Sequence, residues 1–228
     1  MAIDRIEWTE FESNLLWYQG EHVSLIGPTG GGKTTLALSL LKRRKLAVIL
    51  CTKPKDTTIT GFQSKNREYR RLTNWSQRHE RDRRVILWPP CRSVEDQDKQ
   101  RQVMRAAIRE IFQKDGCWCI MADEIRYLCK NLGLEREFNL LWLQGRSLDI
   151  SLVSATQRPA WVPLEMYSQA THLFFWQNSD RRDLQRLGGL GGISPKVIVD
   201  EVESLAKHEV LYVNTRDRTM YRTIMEVK

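Results

Sequence analysis

Six short, almost unbroken apolar runs divide the chain: His22-Val-Ser-Leu-Ile26, Leu46-Ala-Val-Ile-Leu50, Val85-Ile-Leu-Trp88, Cys117 to Ala122, Ile150 to Ala155 and His172 to Trp176. Each has the length of a strand buried on both sides. Between several of them the spacing changes to that of a helix. Thr34 to Arg44 carries Leu36, Leu40 and Leu41, Asp98 to Gln113 carries Val103, Ala106, Ala107 and Ile111, and Glu135 to Gly145 carries Phe138, Leu141 and Trp142. Apolar strands alternating with amphipathic helices predict an α/β fold with a mainly parallel sheet, because the crossover helices must cover both of its faces. The tail reads as two strands, Glu209–Val213 and Thr219–Ile224, around the polar turn Asn214 to Arg218, a β-hairpin at the sheet edge. The expected organisation is one domain over residues 1–228, with a lead-in over 1–20 and the terminal strands over about 209–225.

Composition narrows the partners. The chain has 228 residues, of which 41% are hydrophobic and 28% charged, ordinary values for a globular core and far from those of disorder. Its 36 Lys and Arg against 28 Asp and Glu leave a net charge of +8, which favours a polyanionic partner such as nucleic acid. No apolar run approaches the ~20 residues of a membrane span. Met1 to Gly20 carries Asp4, Arg5, Glu7, Glu10 and Glu12 where a signal peptide needs an apolar stretch, so a cytoplasmic location without membrane attachment is expected. Five cysteines without paired CxxC spacing suit reduced structural thiols, and four scattered histidines show no metal-ligand spacing.

The chemistry begins at Gly27-Pro28-Thr29-Gly30-Gly31-Gly32-Lys33-Thr34, a GxxxxGK[ST] phosphate loop placed after a strand and before a helix. Its glycines let backbone N–H groups converge on phosphate oxygens, Lys33 supplies a point charge for the β- and γ-phosphates, and the Thr34 hydroxyl suits Mg²⁺. Thr35 follows as an α-phosphate contact. Cys119-Ile-Met-Ala-Asp123-Glu124 ends an apolar strand in two carboxylates of Walker B type. Asp123 is expected to hold the Mg²⁺ shell and Glu124 to orient and deprotonate the attacking water. ATP and Mg²⁺ are therefore the expected cofactors. Gln157 follows a third buried strand, where an amide can sense the γ-phosphate. Arg146, on a loop after a helix, suits a nucleotide held by an adjacent subunit.

Together the phosphate loop, the Asp-Glu pair and above all Gln144-Gly-Arg146-Ser-Leu-Asp-Ile-Ser-Leu-Val-Ser-Ala-Thr-Gln157-Arg-Pro resemble the FtsK/HerA superfamily of ring-forming DNA-pumping ATPases. The small size is similar to that of its viral genome-packaging members. The resemblance covers roughly residues 21–182 and implies a RecA/ASCE-like P-loop NTPase fold, ATP hydrolysis coupled to translocation of double-stranded DNA, and a homomeric pentameric or hexameric ring docked on a viral portal or capsid vertex. It implies Gln157 as the polar sensor and Arg146 as the trans-acting arginine finger, with Arg158 as the fallback. The chain departs from the bacterial chromosome translocases in lacking winged-helix and membrane modules, and its length leaves no room for a terminase nuclease. The alternatives are a cellular HerA-like translocase in repair or plasmid transfer, and a P-loop switch or adaptor that moves no polymer.

Polymer contacts are sought in two places. Arg67, Arg70 and Arg71 open an arginine cluster that runs to Arg84 with Tyr69 and Trp75 interleaved, suited to phosphate contact and stacking and equally to a solvated helical face with internal ion pairs. Lys53 and Lys55 follow a strand at the edge where parallel sheets bind ligands. Of the eight tryptophans, Trp88, Trp118, Trp142 and Trp176 sit in core patterns, while Trp8 and Trp17, with Tyr18, could pack near the adenine. Gly188-Gly189-Leu-Gly191-Gly192 reads as a turn, since no lysine follows to make it a phosphate loop.

Overall fold

A computed structural model of the chain describes residues 3–114, 116–187 and 193–225, so the predicted 188–192 turn lies outside the described residues. Strands β1 (Asp4–Arg5), β2 (His22–Ile26), β3 (Leu46–Leu50), β4 (Arg70–Leu72), β5 (Arg84–Leu87), β6 (Trp118–Ala122), β7 (Ser151–Thr156), β8 (Ala170–Trp176), β9 (Glu209–Asn214) and β10 (Thr219–Ile224) form one sheet. Its order is β1-β10-β9-β8-β2-β7-β6-β3-β5-β4. From β8 to β4 every pairing is parallel, whereas β9 runs antiparallel to β8 and to β10, making the expected hairpin.

Helices α1 (Trp8–Asn14), α2 (Lys33–Leu41) and α3 (Thr57–Lys65) lie on one face; α4 (Asp96–Lys114), α5 (Glu135–Gln144), α6 (Glu165–Ser168), α7 (Arg181–Leu187) and α8 (Pro195–Ser204) lie on the other. The strands alternate accordingly. Ala47, Ile49, Cys119, Met121, Val153 and Ala155 pack with Leu36, Leu40 and Phe62 on the first face, and Val48, Leu50, Ile120, Ala122 and Leu152 pack with Met104, Phe138 and Trp142 on the second. Trp88, Trp118, Trp142 and Trp176 are all buried.

The arginine-rich stretch is not a helix. It forms the edge strand β4 and a 3₁₀ turn over Trp75–Gln77, and several of its charges are paired. Arg70 pairs with Asp82, Arg78 with Glu110 and Arg84 with Glu68, while Arg71 stacks over Trp88 at 4.1 Å. Among the described residues no helix is long and apolar enough to cross a membrane, and no group of three or more His, Cys, Asp or Glu is placed to hold a metal ion.

Candidate nucleotide site

Parallel strands bring their C-terminal ends to one edge, and the sheet order decides which side chains meet there. β7 lies between β2 and β6, so the phosphate loop after Ile26, the acid pair after Ala122 and Gln157 after Thr156 stand side by side. Gly32, at φ 105°, starts α2 from the left-handed region that glycine adopts freely, and this turn carries Lys33 and Thr34 onto the first helical turn.

Gly27 is constrained from beneath. A Cβ there would lie 2.5 Å from Trp176 Cβ, and one at Gly31 would lie 3.1 Å from the same indole ring. The buried Trp176 is thus the floor of the loop, a contact with no signal in the sequence. Gly27→Ala is expected to cost about 1–3 kcal/mol of stability through overpacking, read as a lowered midpoint in denaturant with nucleotide affinity falling in step. An unchanged midpoint would show that the loop rises off Trp176 without strain.

The polar groups are already linked. Lys33 Nζ donates to the Gly27 and Pro28 carbonyls, both at 2.7 Å, and Thr34 Oγ1 donates to Asp123 Oδ1 at 2.6 Å. Burial pulls the Lys33 pKa down to about 8 against the attraction of Asp123 and Glu124, so at neutral pH the ammonium is present but poorly solvated. Burial, aided by Asp123, raises the Glu124 carboxyl above its ordinary range, the direction that makes a carboxylate a better proton acceptor. Gln157 spans the site: its Oε1 accepts from Thr29 Oγ1 at 2.8 Å and its Nε2 donates to Glu124 Oε2 at 3.2 Å. The Thr34 hydroxyl and the Asp123 carboxylate, hard oxygens held together beside the phosphate loop, fit Mg²⁺.

Lys53, sought as a polymer contact, enters this site as well. Its Nζ lies 2.9 Å from Asp123 Oδ2 and 3.3 Å from Asp56 Oδ2. Lys55 and Arg67 are exposed, without an ion pair among the described residues. Arg158 stands beside Gln157 but is held by Asp180 at 3.0 Å and by the buried Asp183 at 3.2 Å. Arg146 is exposed on the 3₁₀ turn Gly145–Leu148, which precedes β7 and so sits at the opposite end of that strand from Gln157. Beside that turn His22 accepts from the Leu152 N–H at 3.2 Å, and burial, with Arg146 nearby, lowers its pKa to about 4. Thr35 and Trp8 line one open groove between α1, α2 and α3. Trp17 and Tyr18 do not share it: Trp17 bonds the Glu21 carbonyl at the start of β2, away from the phosphates.

No family model matches the sequence, and no curated protein matches it. Solved structures do. The genome packaging NTPase B204 from Sulfolobus turreted icosahedral virus 2, in complex with sulfate, superposes with a TM-score of 0.70 at 17% identity over 93% of this chain and 100% of that one. The same protein in complex with AMPPCP gives 0.66 at 18%, over 90% of this chain and 98% of that one. VirB4 of Thermoanaerobacter pseudethanolicus gives 0.68 at 10%, over 91% and 89%. Likeness at such identity establishes the fold, which is that of a P-loop NTPase, the class that the FtsK/HerA resemblance implied.

Proposed function

We propose that the chain is an ATPase that drives double-stranded DNA, one P-loop domain over residues 1–228 that works in the cytoplasm as a homomeric ring and loads a viral genome through a portal or capsid vertex. The observation that supports this reading is the link that Gln157 makes between the phosphate loop and Glu124, with Arg146 exposed at the opposite end of β7, away from its own phosphate loop. A neighbouring subunit's Arg146 completes the site, which makes turnover depend on assembly.

Lys33 leaves the Gly27 and Pro28 carbonyls for the β- and γ-phosphates, and the loop N–H groups bind the remaining oxygens. Glu124, held by Gln157, orients a water for in-line attack and takes its proton. Thr34 and Asp123 would hold Mg²⁺, which would supply charge neutralisation on the phosphates. Gln157 joins Thr29 to Glu124, so a change at the γ-phosphate is felt at both. The likeness to a protein described as a genome packaging NTPase, the net charge of +8 and the exposed Lys55, Arg67 and Arg71 support a polymer that is DNA.

The test is the steady-state ATPase rate with and without long double-stranded DNA across a salt series. Strong stimulation that fades with salt is the expected result. A rate that depends on Glu124 but is indifferent to DNA would leave an ATPase and remove the motor.

A further inference from the structure

Asp123 has both carboxylate oxygens committed, one to the Thr34 hydroxyl at 2.6 Å and the other to Lys53 Nζ at 2.9 Å. Thr34 and Asp123 are the pair that fits Mg²⁺, so Lys53 occupies a cation's place on that carboxylate. A divalent ion taken by Thr34 and Asp123 Oδ1 would stand across one carboxylate from the Lys53 ammonium on Oδ2, and two cations so placed repel each other. Loading of Mg²⁺ with nucleotide therefore weakens the hold of Asp123 on Lys53.

Where Lys53 can go is limited by its surroundings. The backbone of its loop is clamped: Trp88 Nε1 donates to the Lys53 carbonyl at 2.7 Å, and the fully buried Gln100 donates to the Thr52 carbonyl at 3.1 Å. Asp56, the other partner of Lys53, caps α3 by accepting from the Ile59 N–H at 3.0 Å. With the backbone held at both points, movement is left to the flexible four-carbon stem of Lys53, whose side chain is half exposed. Beyond Asp56, two cations lie near it on the surface. Lys55 is exposed two residues on, and Arg71 lies over the Trp88 ring that holds the Lys53 carbonyl.

We propose that Lys53 is an exchange residue, paired with Asp123 when the site is empty and transferred to a phosphate of the nucleic-acid backbone, beside Lys55 and Arg71, when Mg²⁺ and nucleotide take Asp123. Grip on the polymer is then gained on nucleotide loading and lost on release, with one lysine counted in both sites. The proposal rests on the DNA-motor reading above.

Duplex affinity is measured against salt concentration with the full chain, once without nucleotide and once with Mg²⁺ and AMPPCP. One additional phosphate contact steepens the dependence of log affinity on log salt by about 0.9. The wild type should show this step on adding Mg²⁺ and AMPPCP, Lys53→Gln should lose it, and Lys53→Arg should keep it. In a Mg²⁺ titration of fluorescent nucleotide binding without DNA, Lys53→Gln should reach half-saturation at lower Mg²⁺ than the wild type, since the competing ammonium is gone. A step that persists in Lys53→Gln, or is missing from a wild type that binds DNA and is stimulated by it, overturns the exchange and leaves the motor standing. Absence of any DNA binding or stimulation overturns both.

Discussion

Glu124→Gln is expected to lower the turnover number about 10²- to 10⁴-fold while nucleotide affinity stays within about threefold of wild type. The carboxylate is partly buried, and burial and Asp123 both raise its pKa, so it is poised to take a proton from water. Glutamine retains the size and, through its carbonyl, an acceptor for the Gln157 Nε2 that Glu124 Oε2 now binds at 3.2 Å. The geometry of the site therefore survives and the base does not. Phosphate binding rests instead on the loop N–H groups, Lys33 and Thr34, which the substitution does not touch. Steady-state hydrolysis alongside equilibrium titration of a fluorescent nucleotide separates the two effects. Turnover that falls less than tenfold would mean that another group activates the water, and the role given to Glu124 would be withdrawn.

Arg146→Ala should reduce hydrolysis about 10³- to 10⁵-fold, the range of an arginine finger, and leave nucleotide binding by the unassembled protein unchanged. The second half of this prediction comes from position: the turn Gly145–Leu148 is at the far end of β7 from Gln157, so the guanidinium contributes nothing to its own subunit's phosphates. Mixing settles the geometry. Arg146→Ala protein keeps an intact phosphate loop, and Lys33→Ala protein keeps an intact finger, so random co-assembly leaves about a quarter of the interfaces with one of each in the productive order. Recovery toward that fraction is the expected outcome. No recovery, with both proteins assembling as the wild type does, would remove Arg146 from the neighbour's site. Arg158 is then a poor substitute, because Asp180 and the buried Asp183 already hold it beside its own subunit's Gln157.

Not every element was equally legible. α3 reads Thr-Thr-Ile-Thr-Gly-Phe-Gln-Ser-Lys, a poor helix by intrinsic preference, and it exists because Asp56 caps it and because Ile59 and Phe62 are buried against the sheet. β4 and β1 are three and two residues long, too short to show a period of their own, and as edge strands depend on β5 and β10, which receive them. The arginines from 67 to 84 suited a phosphate-contacting surface and a solvated helical face equally, because charge dominates their local pattern. Tertiary pairing with Asp82, Glu110 and Glu68 absorbed several of them instead.

The alternation of buried strands and amphipathic helices, the phosphate loop, the Asp123–Glu124 pair and Gln157 as a polar group at a strand end are all readable along the chain. These signals are local: a run of apolar residues, a glycine turn and a carboxylate after a strand each state their requirement within a few residues. Folding in three dimensions sets β7 between β2 and β6, which lets Gln157 bond both Thr29 and Glu124, and lays Trp176 beneath the phosphate loop. It also put Lys53 on Asp123, 70 residues away in the chain. Such contacts depend on strand order and on which carboxylate a flexible lysine can reach, and neither leaves a trace in the spacing of the residues involved.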